Sequence, residues 1–107
     1  MKKILLASGC SYTTDKYDSA HHVNLTADWP KWPEILADKL GMDCINLGQS
    51  GAGQEYIYTS IVNNINKENI GLVIAGWSRA SRRDYYYYDK GFWQNEVWDK
   101  NGDVRYF

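Results

Sequence analysis

The chain has 107 residues, enough for one domain with a modest core. Its 12 lysines and arginines against 13 aspartates and glutamates leave a net charge of −1, which argues against an electrostatic grip on nucleic acid. No apolar run approaches the ~18 residues of a membrane span, and the 2 cysteines are too few for a disulfide framework or a zinc site.

Residues 3 to 8 form a short leucine-rich run closed by Gly9, the pattern of a buried strand. Lys2 and Lys3 before it and Ala7-Ser8-Gly9-Cys10 at its end imitate a lipoprotein signal. The run from Ile4 to Ala7 falls short of the ~7–15 apolar residues such a signal requires, so export by a signal peptide is not expected. Cys10 and Cys44 are expected to be free thiols in a reducing compartment. From Cys10 to Trp29 the chain is polar and aperiodic, a long loop of the kind that is usually functional or mobile.

A helix is expected next. Pro33 suits its first position, Glu34 its first turn, Lys39 its last, and Gly41 its close. Ile35, Leu36 and Leu40 would supply the buried stripe. Residues 43 to 48 read as a second strand, and a second helix runs from Gln54 to Asn66. In it Ile57, Ile61 and Ile65 recur at i, i+4 and i+8, flanked by Tyr58 and Val62. Residues 70 to 77 are apolar almost throughout, as a central parallel strand covered on both faces would be. This alternation predicts an α/β fold, a three-layer doubly wound parallel sheet of about three strands with right-handed crossovers.

From Asp84 onward the character changes. Asp89-Lys90-Gly91 and Lys100-Asn101-Gly102 are turn signals between aromatic runs, and they predict one or two antiparallel hairpins. Tyr85 to Tyr88 read as alternating strand residues, half of them packed on the domain. The competing reading is an aromatic contact surface for sugar or protein. Residues 1–83 are thus expected to form an α/β core, and 84–107 an aromatic β-hairpin extension of the same domain.

In a doubly wound sheet, ligands bind beyond the carboxyl ends of the strands. All three predicted strands end in glycine and polar residues: Gly9-Cys10-Ser11-Tyr12-Thr13, Asn46-Leu47-Gly48-Gln49-Ser50-Gly51 and Gly76-Trp77-Ser78-Arg79. A serine on a tight strand-to-loop turn presents its hydroxyl at the sheet edge. Glycine-rich turns bring backbone N–H groups close enough to hold an oxyanion.

In these three blocks the sequence resembles the SGNH (GDSL-like) hydrolases, in a form common in bacteriophage genomes, over residues 2 to 83. The resemblance implies a flavodoxin-like sheet and a serine ester hydrolase acting on an acylated carbohydrate or similar polar ester, with Ser11 as nucleophile. It assigns the oxyanion to the N–H groups of Ser11 and Gly51 and to the Ser78 hydroxyl. Ser78 stands where the family has asparagine, and Arg79 where it has aspartate. Tyr12, Trp77 and Arg79 would bind substrate. No cofactor or metal is implied, and the chain would reside in the host cytoplasm or in a virion.

The family's fourth block, an Asp-x-x-His near the carboxyl terminus, supplies the base that takes the serine proton. No histidine follows His22 here, although Asp18-Ser19-Ala20-His21 has the spacing. The base is therefore expected to be His21, or a histidine from a missing carboxyl-terminal half, or absent. If absent, the chain is a catalytically incomplete binding or structural module derived from this family, a candidate component of a phage particle. Three strands would also leave the third with an open edge, and another chain or a second copy is expected to cover it.

Overall fold

A computed structural model describes residues 2–14 and 30–106. Two three-stranded sheets follow one another along the chain, and two helices connect the strands of the first. The first sheet comprises β1 (Ile4–Ser8), β2 (Asp43–Asn46) and β3 (Ile70–Ala75), all parallel, in the order β2-β1-β3. Leu6 of β1 lies opposite Ile45 on one side and Val73 on the other, so the leucine-rich first strand is the sheet's spine.

Side chains alternate across a strand, and the alternation in β1 assigns each helix to a face. Leu5 and Ala7 pack with Ala37 of α1 (Trp32–Lys39), together with Leu36, Met42, Cys44 and Ile74. Ser8 points the other way. Its hydroxyl meets that of Ser60 at 2.6 Å, on α2 (Gln54–Asn64). Cys10, Ala52 and Ile57 form the second cluster, on the α2 side, with Tyr56, Ile61 and Ala75. Leu5, Leu6 and Ile57 are fully buried, each worth roughly 1.5–3 kcal/mol relative to exposure.

The ends of α1 follow from its sequence. Pro33 sits in the first turn with Glu34, and Lys39 in the last. Gly41, at φ 67°, closes it in a Schellman motif. Gly41 N–H donates to Asp38 O at 3.1 Å and Met42 N–H to Ala37 O at 2.8 Å.

The expected buried stripe of α1 is corrected. Ile35 is 43% and Leu40 51% exposed, while Pro33 and Ala37 are buried. The helix rests on its small residues, because Trp32 and Leu36 fill the space beside them. α2 ends at Asn64, and Tyr58, Val62 and Ile65 are exposed. β3 is an edge strand and not a central one, and its Gly71 and Leu72 are exposed.

The aromatic segment forms the second sheet, of β4 (Arg82–Tyr87), β5 (Phe92–Trp98) and β6 (Val104–Tyr106), antiparallel in that order. The hairpin turns fall at the two expected positions, with Gly91 and Gly102 at φ 70° and 83°. β4 begins two residues before the expected change at Asp84. Its alternation turns Asp84 and Tyr86 toward α2, opposite Asn95 and Trp93, and Tyr85 and Tyr87 to the outer face. The expectation that half of Tyr85 to Tyr88 pack on the domain is corrected: all four are exposed, and on the inner face of β4 it is Asp84 that is buried.

Among the described residues, no helix is long and apolar enough to cross a membrane.

Candidate active site

The three strand ends are tied to one another. Leu47 N–H donates to Ala7 O at 2.8 Å, Gln49 N–H to Gly9 O at 3.0 Å, and Gly76 N–H to Ser8 O at 2.8 Å. The loops after β2 and β3 are thereby held on either side of the loop after β1.

Beyond Gly9 the chain turns sharply. Cys10 O accepts the N–H groups of Thr13 and Thr14 at 2.9 and 3.1 Å. Ser11 and Tyr12 occupy the corner of this turn, while the Cys10 side chain is buried with Ala52 and Ile57 and serves packing. Asn46 clamps the far side. Its amide nitrogen donates to Thr13 O at 2.6 Å and to Glu34 Oε1 at 3.0 Å, and its oxygen accepts Gly48 N–H at 2.9 Å.

The loop after β2 makes a second tight turn, closed by Ala52 N–H to Gln49 O at 3.1 Å. Gly51 adopts φ 79° there, which a residue with a Cβ rarely does. Ser11 and Gly51 line one cavity of about 260 Å³. Neither backbone N–H, nor the Ser11 hydroxyl, has a hydrogen-bond partner among the described residues.

Of the residues expected to bind substrate, Arg79 lines this cavity. Tyr12 and Trp77 do not; they are 79% and 59% exposed. Ser78 is also outside the lining. Its hydroxyl donates to Ala52 O at 2.7 Å and its N–H to Gln54 Oε1 at 3.0 Å, so its donors are spent within the protein. Asp18, His21 and His22 lie outside the described residues.

The opposite wall was not anticipated. Arg82, Trp98, Asp99, Asp103 and Arg105 of the antiparallel sheet and its second turn face Ser11 across the cavity. Arg82 Nη1 donates to Ala52 O at 3.1 Å, and its buried Nε has no partner among the described residues. Asp99 Oδ1 is held by the N–H groups of Asn101 and Asp103 at 2.8 and 3.0 Å. The signal available in the sequence was the Asp99-Lys100-Asn101-Gly102-Asp103 turn. Nothing in its residues says which part of the first sheet it meets.

Three arginines against two aspartates leave the lining a small positive excess beside a serine and two unbonded N–H groups, which favours negative charge developing on an oxygen in the cavity. Among the described residues, no group of three His, Cys, Asp or Glu side chains is placed to hold a metal ion. Compared with known proteins, the chain matches no family model, no curated protein and no solved structure.

Proposed function

We propose that the chain is a serine ester hydrolase of SGNH (GDSL-like) type, acting on an acylated carbohydrate or similar polar ester. The Ser11 oxygen attacks the acyl carbon, and the carbonyl oxygen becomes an oxyanion held by the N–H groups of Ser11 and Gly51. Arg79 and Arg82, which line the same cavity, add positive charge to it. The serine proton passes to a base, His21 or a histidine supplied from outside the chain, and then to the departing alcohol. Water hydrolyses the acyl-enzyme by the reverse sequence.

The observation that carries this reading is the shared cavity of Ser11, Gly51 and Arg79, with neither the Ser11 nor the Gly51 N–H bonded elsewhere among the described residues. The β2-β1-β3 order agrees with it, since β1 then delivers Ser11 at the middle of the sheet's carboxyl edge. Where the family has an oxyanion asparagine, the present geometry leaves two backbone donors and the arginines. The edge of β3 is taken as covered by a second copy or another chain, which light scattering on the purified protein tests.

The test is turnover of p-nitrophenyl acetate. The unsubstituted chain hydrolyses it, and Ser11→Ala lowers kcat by at least about a thousandfold. Turnover surviving Ser11→Ala overturns the reading. A second reading, a binding or structural module without turnover, is favoured by the Ser78 hydroxyl being spent on Ala52 O. It predicts no turnover by either form.

A further inference from the structure

Away from Ser11, the inner face of the antiparallel sheet meets α2 in a groove of about 500 Å³. Its lining is Thr59, Asn63, Tyr86, Tyr88 and Trp93. Thr59 and Asn63 are four residues apart on α2 and share one face of the helix. Neither side chain has a hydrogen-bond partner among the described residues. Tyr86 and Trp93 form a braced pair of rings, beside which Tyr88 is exposed. Tyr86 meets Trp93 at 5.3 Å and Tyr88 edge-on at 5.0 Å between ring centroids. Trp93 is braced edge-on by Tyr56 at 5.4 Å, and Tyr56 is anchored through its hydroxyl to Leu47 O at 2.6 Å.

We infer that this groove is a binding site for a neutral glycan. Aromatic rings offer flat apolar faces to the C–H surfaces of a pyranose, and a helix-borne amide and hydroxyl match its ring hydroxyls. No Asp, Glu, Lys or Arg lines the groove among the described residues. That absence selects against phosphate-bearing ligands, because a stacked single-stranded nucleic acid also needs cations along its backbone. The braced Tyr86–Trp93 pair requires little ordering on binding, which favours a weak polar ligand. The groove shares no lining residue with the Ser11 cavity, so this site stands whether or not Ser11 reacts.

The test is calorimetric titration of the full chain with chitotetraose, cellotetraose and maltotetraose in turn, and with a thymidine oligonucleotide. At least one tetrasaccharide binds at millimolar concentration or below. Tyr88→Ala and Asn63→Ala each weaken that binding by roughly five- to tenfold. Tyr88 is 91% exposed, so its truncation leaves the fold intact, and circular dichroism verifies this. Tyr85→Ala, on the outer face, leaves the affinity unchanged. Failure of all three sugars to bind overturns the inference. So does binding that ignores both groove substitutions, or preference for the oligonucleotide.

Discussion

The Asp84 carboxylate accepts the Gly53 N–H with both its oxygens, at 2.8 and 3.0 Å, and so caps α2 from the neighbouring sheet. Gly53 is the helix's N-cap residue and has no side chain with which to do this itself. Asp84 also accepts Tyr56 N–H at 2.7 Å and Asn95 Nδ2 at 2.7 Å, while Asn95 Oδ1 accepts the Gln49 amide. One buried carboxylate thus joins the aromatic sheet, the helix and the loop that carries Gly51. Its negative charge lies at the positive end of the helix.

Asp84→Ala is expected to destabilise the protein by about 2–4 kcal/mol, since it strands two helix N–H groups and the Asn95 amide. Asp84→Asn keeps one acceptor and costs less. Urea denaturation followed by circular dichroism measures both.

Much of the first sheet could be read from the residues. Branched and leucine-rich runs ending in glycine mark β1, β2 and β3, and Pro33 and Gly41 mark the ends of α1. The hairpins are legible because the turns at Gly91 and Gly102 separate aromatic runs. Period-two alternation implies that Asp84 and Tyr86 share a face, but not which neighbour that face meets. The Asp84–Gly53 cap joins residues 31 apart and depends on how the two sheets dock. The same holds for Arg82, Asp99 and Arg105 opposite Ser11. The exposure of Ile35 and Leu40 was not legible either, because helical spacing cannot reveal that Trp32 occupies the place beside Ala37.

Stability should fall at alkaline pH through Tyr56. Its pKa is raised above the ordinary 10.0, first by burial and second by the negative charge of Asp84. As pH rises past the ordinary value, the unfolded chain releases the Tyr56 proton while the folded chain keeps it. The folded state is therefore fully favoured below that range and loses stability as pH rises through the folded pKa. Tyr56→Phe removes this dependence along with the bond to Leu47 O, so its stability declines less steeply above pH about 10 than that of the parent. Thermal melts across that range provide the comparison.

Gly48 lies against the Ser11 turn. A Cβ there would stand 2.5 Å from Thr14 N and 2.8 Å from Thr13 C, both backbone atoms that cannot step aside. Gly48→Ala is expected to cost about 1–3 kcal/mol and to displace the turn bearing Ser11. Ester turnover should then fall at temperatures where circular dichroism still reports a folded chain.

Gly51→Ala tests the oxyanion assignment. Alanine at φ 79° carries roughly 1–2 kcal/mol of strain and shifts the N–H of this cavity-lining residue. The expected signature is a lowered kcat with KM little changed, because that N–H strengthens its bond only as the oxyanion forms.

The most direct test of Ser11 as a placed nucleophile is covalent labelling of the unsubstituted chain with a fluorophosphonate, followed by peptide mass spectrometry. The serine oxygen displaces fluoride at phosphorus, so one phosphonyl group should appear on the peptide containing Ser11 and disappear in Ser11→Ala. A folded chain that stays unlabelled, or a label on another residue that persists in Ser11→Ala, would contradict the account.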